Sequence, residues 1–315
     1  MRLVSLLVLA VACSEYAIEG RVDVSKPQDT APEADAETAH EETFEVEAVL
    51  ADLVFFGDTS SSMSEELAAM GGEIEAFVAR LEDGDADWQL AAVTGPDGCN
   101  QGGIFTPDTL DLAAVFGAGI ATQPGEDEVD EWGLHNATVA LESSDAGECN
   151  EGLVRDGSNV QVIVLSDEGD HSPGWDGGDP AYWSAYVSRM TTQLGSGRAF
   201  AVSSVTGDDP DGCMATSGAT AGPGTGYLEA TTATLGSFVS ICGEWAAGLG
   251  LIAEEAALRR SYTLALEAFP ESVTVAVNRE VRSGWVYDPA TWTVRFTENP
   301  PRTGDTVTVR YEIAE

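Results

Sequence analysis

The sequence predicts an α/β fold, in which a mostly parallel sheet has helices on both faces, followed by a small antiparallel β domain. In residues 47–260, short apolar segments of strand length alternate with longer segments whose apolar residues recur at helical spacing. Residues 261–315 instead contain short segments rich in β-branched and aromatic residues, separated by turn signals. Strand–helix alternation favours parallel pairing, because each crossover helix returns the chain to the same edge of the sheet.

Five strands and six helices are predicted in the larger domain. The strands are short apolar runs, as expected where both faces of a sheet are covered, at residues 51–57, 88–93, 160–165, 198–205 and 238–241. The helices have apolar residues three and four positions apart, at residues 63–81, 110–116, 131–141, 182–194, 227–235 and 244–258. This order indicates a Rossmann-like arrangement, in which ligands bind beyond the carboxyl ends of the strands.

The charge balance is strongly acidic, with 54 Asp and Glu residues against 14 Lys and Arg residues and a formal net charge of -40. Nucleic acids and anionic lipid surfaces both attract basic proteins, so neither is expected as a partner. An acidic surface suits a cation-rich or saline exterior, where salt screens the self-repulsion. Alternatively, most of these side chains simply solvate the surface.

Residues 1–13 have the features of a secretory signal. Arg2 precedes an apolar stretch, residues 3–12, that is too short to cross a bilayer but suits a signal-peptide core. Small residues followed by Cys13 resemble the bacterial lipoprotein box, and this resemblance implies lipidation of Cys13. Ser14 resembles outer-membrane sorting, so we expect an outer-membrane lipoprotein of the bacterial cell envelope, periplasmic or surface-exposed, that touches the membrane only through its lipid anchor. An ordinary cleaved signal with an incidental cysteine is the alternative.

Residues 14–46 are predicted to be a disordered acidic tether. They are rich in Glu, Asp, Ala, Thr and Pro and poor in large apolar side chains. Such a segment buries too little surface to offset the entropy of ordering. It would link the lipid anchor to the folded domains.

Four further cysteines predict two disulfides in an exported chain, with three possible pairings. We favour Cys99 with Cys149 and Cys213 with Cys242, because the members of each pair lie in loops that flank adjacent predicted strands. No CxxC pattern or neighbouring histidine supports a zinc site.

The end of the first apolar strand contains the main candidate site. There, the alternate residues Asp58, Ser60 and Ser62 place one carboxylate and two hydroxyls on a single turn before a helix. Hard divalent cations such as Mg²⁺ prefer oxygen ligands of this kind. The alternative is that Asp58 or Ser62 merely caps the helix.

The segment DTSSSM after a buried strand resembles the DxSxS motif of von Willebrand factor type A domains, which belongs to their metal-ion-dependent adhesion site. The family also has an acidic residue at the end of its fourth strand, and Asp167 in VIVLSDEGD occupies that place. The resemblance covers residues 47–258. It implies a type A-like fold and a divalent cation, Mg²⁺ or else Mn²⁺ or Ca²⁺, bound directly by the two serines, with the acids acting largely through water.

A threonine ligand of the family has no counterpart in GEDEVDEWGLHNATVAL, where Asp130 and Glu131 precede the Gly-Leu pair. Asp130 or Glu131 is therefore predicted as a supporting metal ligand. A carboxylate there would strengthen cation binding but reduce the positive charge that attracts an acidic group of a partner.

A second acidic loop runs from Asp167 to His171 and continues to Asp176 and Asp179. Its composition could support a Ca²⁺ site, but a solvated loop is the favoured interpretation because the spacing does not match an EF-hand. Trp175 is either an exposed contact residue or an anchor for the loop.

These observations predict a metal-ion-dependent binding or adhesion module rather than an enzyme. No serine has the G-x-S-x-G context or an evident base, and no glycine-rich loop with a lysine could hold phosphates. The expected partner is a protein or surface polymer with an acidic group. The alternatives are a structural or scaffold lipoprotein whose metal only stabilises the fold and, more weakly, a metal-assisted hydrolase.

Overall fold

The computed structural model describes residues 39–123, 131–175, 179–195, 198–215, 218–243 and 245–314. Its strands, in chain order, are β1 Ala39–Glu45, β2 Leu50–Gly57, β3 Asp87–Val93, β4 Asn159–Leu165, β5 Phe200–Thr206, β6 Cys213–Met214, β7 Thr220–Ala221, β8 Phe238–Ser240, β9 Ser261–Thr263, β10 Thr274–Val277, β11 Glu280–Val281, β12 Trp285–Asp288, β13 Thr293–Phe296 and β14 Thr306–Glu312. The α-helices are α1 Ser64–Asp83, α2 Leu112–Ile120, α3 Gly133–Glu142, α4 Trp183–Leu194, α5 Tyr227–Thr234 and α6 Trp245–Ala256.

The predicted α/β architecture is confirmed. Five strands form a sheet in the order β3-β2-β4-β5-β8, and every neighbouring pair in it is parallel. These are the five segments that the sequence predicts as strands. Their apolar runs reflect burial on both faces, since β2 is buried from Ala51 to Gly57.

Helices cover both faces of the sheet because successive strand residues point to opposite sides. Phe55 packs into a core with residues of α1, α2 and α6, including Phe77, Phe116 and Ile252. Phe56, the next residue, packs into a separate core with residues of α3, α4 and α5, including Leu134, Met190 and Tyr227. The predicted three-layer arrangement follows directly from this alternation.

The order of the strands changes direction at β2. The chain passes from β2 through α1 to β3 on one side and later returns to β4 on the other, so β2 lies between β3 and β4. Gly57 pairs with Leu165, and the Asp58 N–H donates to the Leu165 carbonyl at 3.0 Å. The carboxyl ends of β2 and β4 therefore meet at a topological switch point, which is where open α/β sheets bind ligands.

The predicted C-terminal β domain is also present. It contains two antiparallel sheets, one in the order β1-β14-β10-β11 and the other in the order β12-β13-β9. Tyr262, Phe296 and Tyr311 are buried in its core together with several valines. Trp292, by contrast, is 38% exposed.

The prediction that the disordered tether extends to residue 46 is wrong for its C-terminal residues. Ala39–Glu45 forms strand β1, which pairs antiparallel with β14 over seven residues. Phe44 packs against Tyr262, and Tyr311 donates a hydrogen bond to Glu42. The high acid content concealed a period-two pattern in which alternate side chains face the β domain. The predicted signal peptide, Cys13 and residues 14–38 of the tether lie outside the described residues.

Both favoured disulfide pairings are confirmed. Cys99 is bonded to Cys149, and Cys213 is bonded to Cys242. The second disulfide joins the β6–β7 hairpin to the segment after β8. Among the described residues, none of the helices combines the length and apolar character needed to cross a membrane.

Candidate metal site

Asp58 is the buried centre of the candidate site. It directly follows β2 and is 0% exposed. The Ser60 N–H donates to its Oδ1 at 2.8 Å, and the Ser166 hydroxyl donates to its Oδ2 at 2.6 Å. Burial raises the pKa of Asp58 to about 6, the hydrogen bonds from Ser166 and Ser60 oppose this rise, and the charge of Asp167 adds to it. Asp58 thus holds the turn in place and concentrates negative charge beneath it.

Three further oxygen-bearing side chains lie above Asp58. Ser60 Oγ and Ser62 Oγ are 3.0 Å apart, and the Ser62 hydroxyl donates to Asp167 Oδ1 at 3.3 Å. A single 3-10 turn, Ser61–Met63, connects the serines to α1, and Met63 is fully buried beneath it. The structure therefore brings together Asp58, Ser60, Ser62 and Asp167, which the sequence predicts as one site.

The interpretation of these residues as helix caps finds no support in the geometry. Neither the 3-10 turn nor α1 has a side-chain hydrogen bond from its cap residue. Asp58 instead accepts from the Ser60 N–H within the turn itself. The Ser60 hydroxyl is hydrogen-bonded to the Ser62 hydroxyl, and the Ser62 hydroxyl contacts Asp167.

The donor set fits a small hard cation. Adjacent ligands of an octahedral Mg²⁺ ion are about 3 Å apart when the metal–oxygen bonds are about 2.1 Å long. The serine hydroxyls are hydrogen-bonded to each other at 3.0 Å, a separation that is also compatible with two adjacent ligands of such an ion. Within the described residues, no group of three or more His, Cys, Asp or Glu side chains is arranged to hold a metal.

The two predicted supporting ligands have different outcomes. Asp130 lies outside the described residues. Glu131 is described, and its carboxylate lies 3.7 Å from Nδ1 of His171, while its carbonyl accepts hydrogen bonds from the His171 N–H and the Tyr227 hydroxyl. These contacts join Glu131 to the acidic loop after β4. A role for Glu131 as a metal ligand stays a prediction.

Asp170 is a structural residue that sequence reasoning missed. It is 3% exposed, and its Oδ1 accepts from the Leu134 N–H at 3.0 Å and from the Ser172 hydroxyl at 2.8 Å. Burial raises its pKa to about 6. The expectation that the loop is merely solvated is therefore wrong at Asp170, which fastens the loop to the start of α3.

Ser166 is a second supporting residue that the sequence did not reveal. Its hydroxyl is buried against Asp58, from a neighbouring strand end more than a hundred residues away in the chain. The only sequence signal was its position directly before Asp167, at the end of an apolar strand. The partner of such a serine becomes evident only when β2 and β4 are known to be neighbours.

A cavity of about 890 Å³ opens beside the candidate metal site. Its lining includes Ser62 and Asp167 at one end and Trp175 and Tyr182 further along. Trp175 is 47% exposed and stacks on His171 with ring centroids 4.3 Å apart. The ring therefore anchors on His171 and also presents a surface to solvent, and its role as a contact residue stays a prediction.

Comparison with known proteins shows similarity at the level of structure only. No family model matches the chain. No curated protein sequence matches it either. Among solved structures, a von Willebrand factor type A protein from Catenulispora acidiphila is 14% identical, with a TM-score of 0.43, over 88% of this chain and 65% of that one.

Two pilus adhesins are similar to a comparable degree. SpaC from Lactobacillus rhamnosus GG is 10% identical, with a TM-score of 0.42, over 88% of this chain and 42% of the adhesin. RrgA from Streptococcus pneumoniae is 10% identical, with a TM-score of 0.33, over 88% of this chain and 59% of the adhesin. This chain spans less than two thirds of the length of each of the three proteins. Scores this low establish neither a family nor a function.

Proposed function

We propose that this protein is a metal-ion-dependent binding module of the bacterial cell envelope, which captures a protein or surface-polymer partner through a divalent cation. The observation that carries the proposal is the convergence of Asp58, Ser60, Ser62 and Asp167 at the switch point of the sheet. The 3.0 Å hydrogen-bond separation of the serine hydroxyls is compatible with adjacent ligands of Mg²⁺, and Mn²⁺ or Ca²⁺ are the alternatives.

The described residues divide the work at this site. Ser60 and Ser62 would hold the ion directly, because their hydroxyls are exposed at the turn. Both carboxylate oxygens of Asp58 accept hydrogen bonds, one from the Ser60 N–H and one from the Ser166 hydroxyl. Asp58 would therefore position the turn and provide negative charge close to the ion. A bound divalent cation would supply a positive charge that attracts an acidic group of the partner.

Attachment to the envelope is part of the proposal. The signal sequence and Cys13 would place the protein on the outer membrane through a lipid anchor. Strand β1 begins at Ala39, so a shorter tether than the sequence predicts, residues 14–38, would separate the anchor from the folded unit.

Calorimetric titration with Mg²⁺, Mn²⁺ and Ca²⁺ tests the metal site. Asp58→Ala and Ser62→Ala are expected to weaken binding by about 10–100-fold, the usual effect of removing a ligand or its support. Asp83→Ala is the matched control, because Asp83 is an exposed residue at the far end of α1, about 30 Å away along a twenty-residue helix. Unchanged affinity in both site variants would remove the metal site.

Capture of a partner is tested separately. Extracts of whole-cell surfaces are passed over the immobilised protein with Mg²⁺ or with a chelator. A partner that is released by the chelator supports metal-mediated capture. A partner that is retained argues for a metal that only stabilises the fold, and metal-dependent turnover of ester or phosphate substrates would favour a hydrolase.

A further inference from the structure

We propose that the cavity beside the metal site binds a basic side chain, an arginine, of the partner that the metal ion engages. The cavity runs from Ser62 and Asp167 towards Trp175 and Tyr182. Its volume, about 890 Å³, lies within the range of about 300–1,000 Å³ for ligand pockets. A segment of a few residues could therefore occupy it while remaining next to the cation. The assignment of the arginine to the partner rests on the proposed function, but the preference of the cavity for a cation does not.

The charge of the lining determines which ligand fits. Five acidic residues line the cavity: Asp167, Glu168, Asp170, Asp179 and Glu229. Among its described lining residues, His171 is the only basic side chain. Asp170 and Glu229 are engaged by backbone N–H groups, from Leu134 and Gly226 respectively. Glu168 and Asp179 are exposed, so their charge is accessible to a ligand, and Asp179 Oδ1 also accepts a hydrogen bond from the Ala181 N–H at 2.9 Å. A cationic group would be attracted here and an anionic one repelled.

The aromatic side chains indicate the shape of the cation. Trp175 stacks on His171 at an interplanar angle of 29°, and nearly half of its surface stays exposed. A tryptophan face attracts a cation within about 6 Å of its centroid, and arginine is the more frequent partner because its planar guanidinium also stacks. The combination of an exposed Trp175 with Glu168 and Asp179 therefore favours arginine over an uncharged side chain.

The walls of the cavity are held in place without a ligand. The Gly222 N–H donates to the Asp167 carbonyl at 2.7 Å, and the Asp170 N–H donates to the Thr225 carbonyl at 2.8 Å. The Tyr182 hydroxyl donates to the Asp170 carbonyl at 2.7 Å. These bonds connect three separate segments of the chain, so little ordering is required when a ligand enters.

The test uses two small probes of nearly the same shape and different charge. The full-length protein is titrated with N-acetyl-arginine methylamide and with N-acetyl-citrulline methylamide in a chelator and at physiological salt. The signal is the NMR resonance of the Trp175 indole N–H, assigned with Trp175→Phe. We expect the arginine probe to shift this resonance and to bind about tenfold more tightly than the citrulline probe.

Two matched double variants distinguish the effect of the acidic residues in the cavity from the effect of the protein's overall negative charge. Glu168→Gln/Asp179→Asn is expected to abolish the preference for arginine, whereas Glu271→Gln/Asp83→Asn removes two exposed acids elsewhere and is expected to preserve it. Equal binding of both probes, an unperturbed Trp175, or equal loss in both variants would overturn the proposal. Because the titration contains no metal, its failure leaves the metal site untouched, and failure of the metal titration leaves the cavity untouched.

Discussion

At the scale of single residues, the site depends on a few close contacts that only the folded chain reveals. Asp58, Ser60, Ser62 and Asp167 could be predicted from the sequence, because each stands at the end of an apolar strand and carries oxygen ligands. Ser166 and Asp170 could not, since their partners, Asp58 and Leu134, are distant in the chain. Local pattern identifies where candidate ligand residues lie, whereas tertiary pairing decides which residues support them.

Gly133 is expected to be irreplaceable at the start of α3. A Cβ there would lie 2.6 Å from the Tyr227 hydroxyl oxygen and 2.9 Å from the Phe56 ring. Gly133→Ala should therefore lower the free energy of unfolding by about 1–3 kcal/mol, as overpacking does, measured by urea denaturation.

Gly72→Ala is the control for this substitution. Gly72 lies within α1, and a Cβ there would meet nothing within 4 Å. The change should raise stability by about 0.5–1 kcal/mol, because alanine favours a helix. A Gly133→Ala protein as stable as the parent would show that Tyr227 can move away from α3.

Asp170 should make the stability of the metal-free protein depend on pH. Its folded-state pKa is raised from 3.8 to about 6, so folding favours its protonated form. The stability it contributes is complete below about pH 4, is lost as the pH rises to about 6, and changes little above that. The loss should be about 3 kcal/mol, as a shift of about two pKa units implies.

The contribution of Asp170 is isolated with Asp170→Asn, whose side-chain oxygen can still accept from Leu134. Urea denaturation in a chelator between pH 4.5 and 7.5 should show the variant gaining stability relative to the parent as the pH rises to about 6. Asp58 titrates in both proteins and cancels from the difference. Parallel curves would mean that the pKa of Asp170 is the same in the folded and unfolded protein.

At the scale of elements, the sequence predicts the parallel sheet well and the N-terminal strand poorly. The strands of the sheet are buried on both faces, so their apolar runs stand out. Strand β1 alternates exposed and half-buried residues and contains four glutamates or histidines among seven residues, AHEETFE. Strand β1 is ordered because it pairs with β14 at the other end of the chain. No local sequence pattern indicates this pairing.

Removal of β1 should destabilise the β domain. A chain that begins at residue 47 loses the packing of Phe44 on Tyr262 and of buried Val46, and we expect a cost of about 2–4 kcal/mol in urea denaturation. It also exposes β14 as a new sheet edge, which should promote association in size-exclusion chromatography.

A chain that begins at residue 39 is the control, because it keeps β1 complete. It should unfold at the same urea concentration as the full-length protein. If the chain that begins at residue 47 also unfolds there, β1 is not part of the cooperative unit.

At the scale of the whole molecule, the net charge of -40 should make stability depend on salt. Repulsion among like charges destabilises the compact state, and the Debye length falls from about 30 Å at 0.01 M salt to about 3 Å at 1 M. The melting temperature should therefore rise with NaCl by about 2–4 °C for each kcal/mol of repulsion that is screened.

The control for screening is the same salt series near pH 4.1, the isoelectric point of the sequence. There the net charge is near zero, so the rise should be much smaller. A similar rise at both pH values would indicate a general salt effect on burial and not the relief of repulsion.

Anomalous X-ray scattering from crystals soaked in Mn²⁺ would locate a divalent cation held by the two serines next to Asp58. We expect an anomalous peak about 2.2 Å from both Ser60 Oγ and Ser62 Oγ, and we expect this peak to disappear in Ser62→Ala. A well-ordered site with no peak there, or a peak only at other carboxylates, would contradict this expectation.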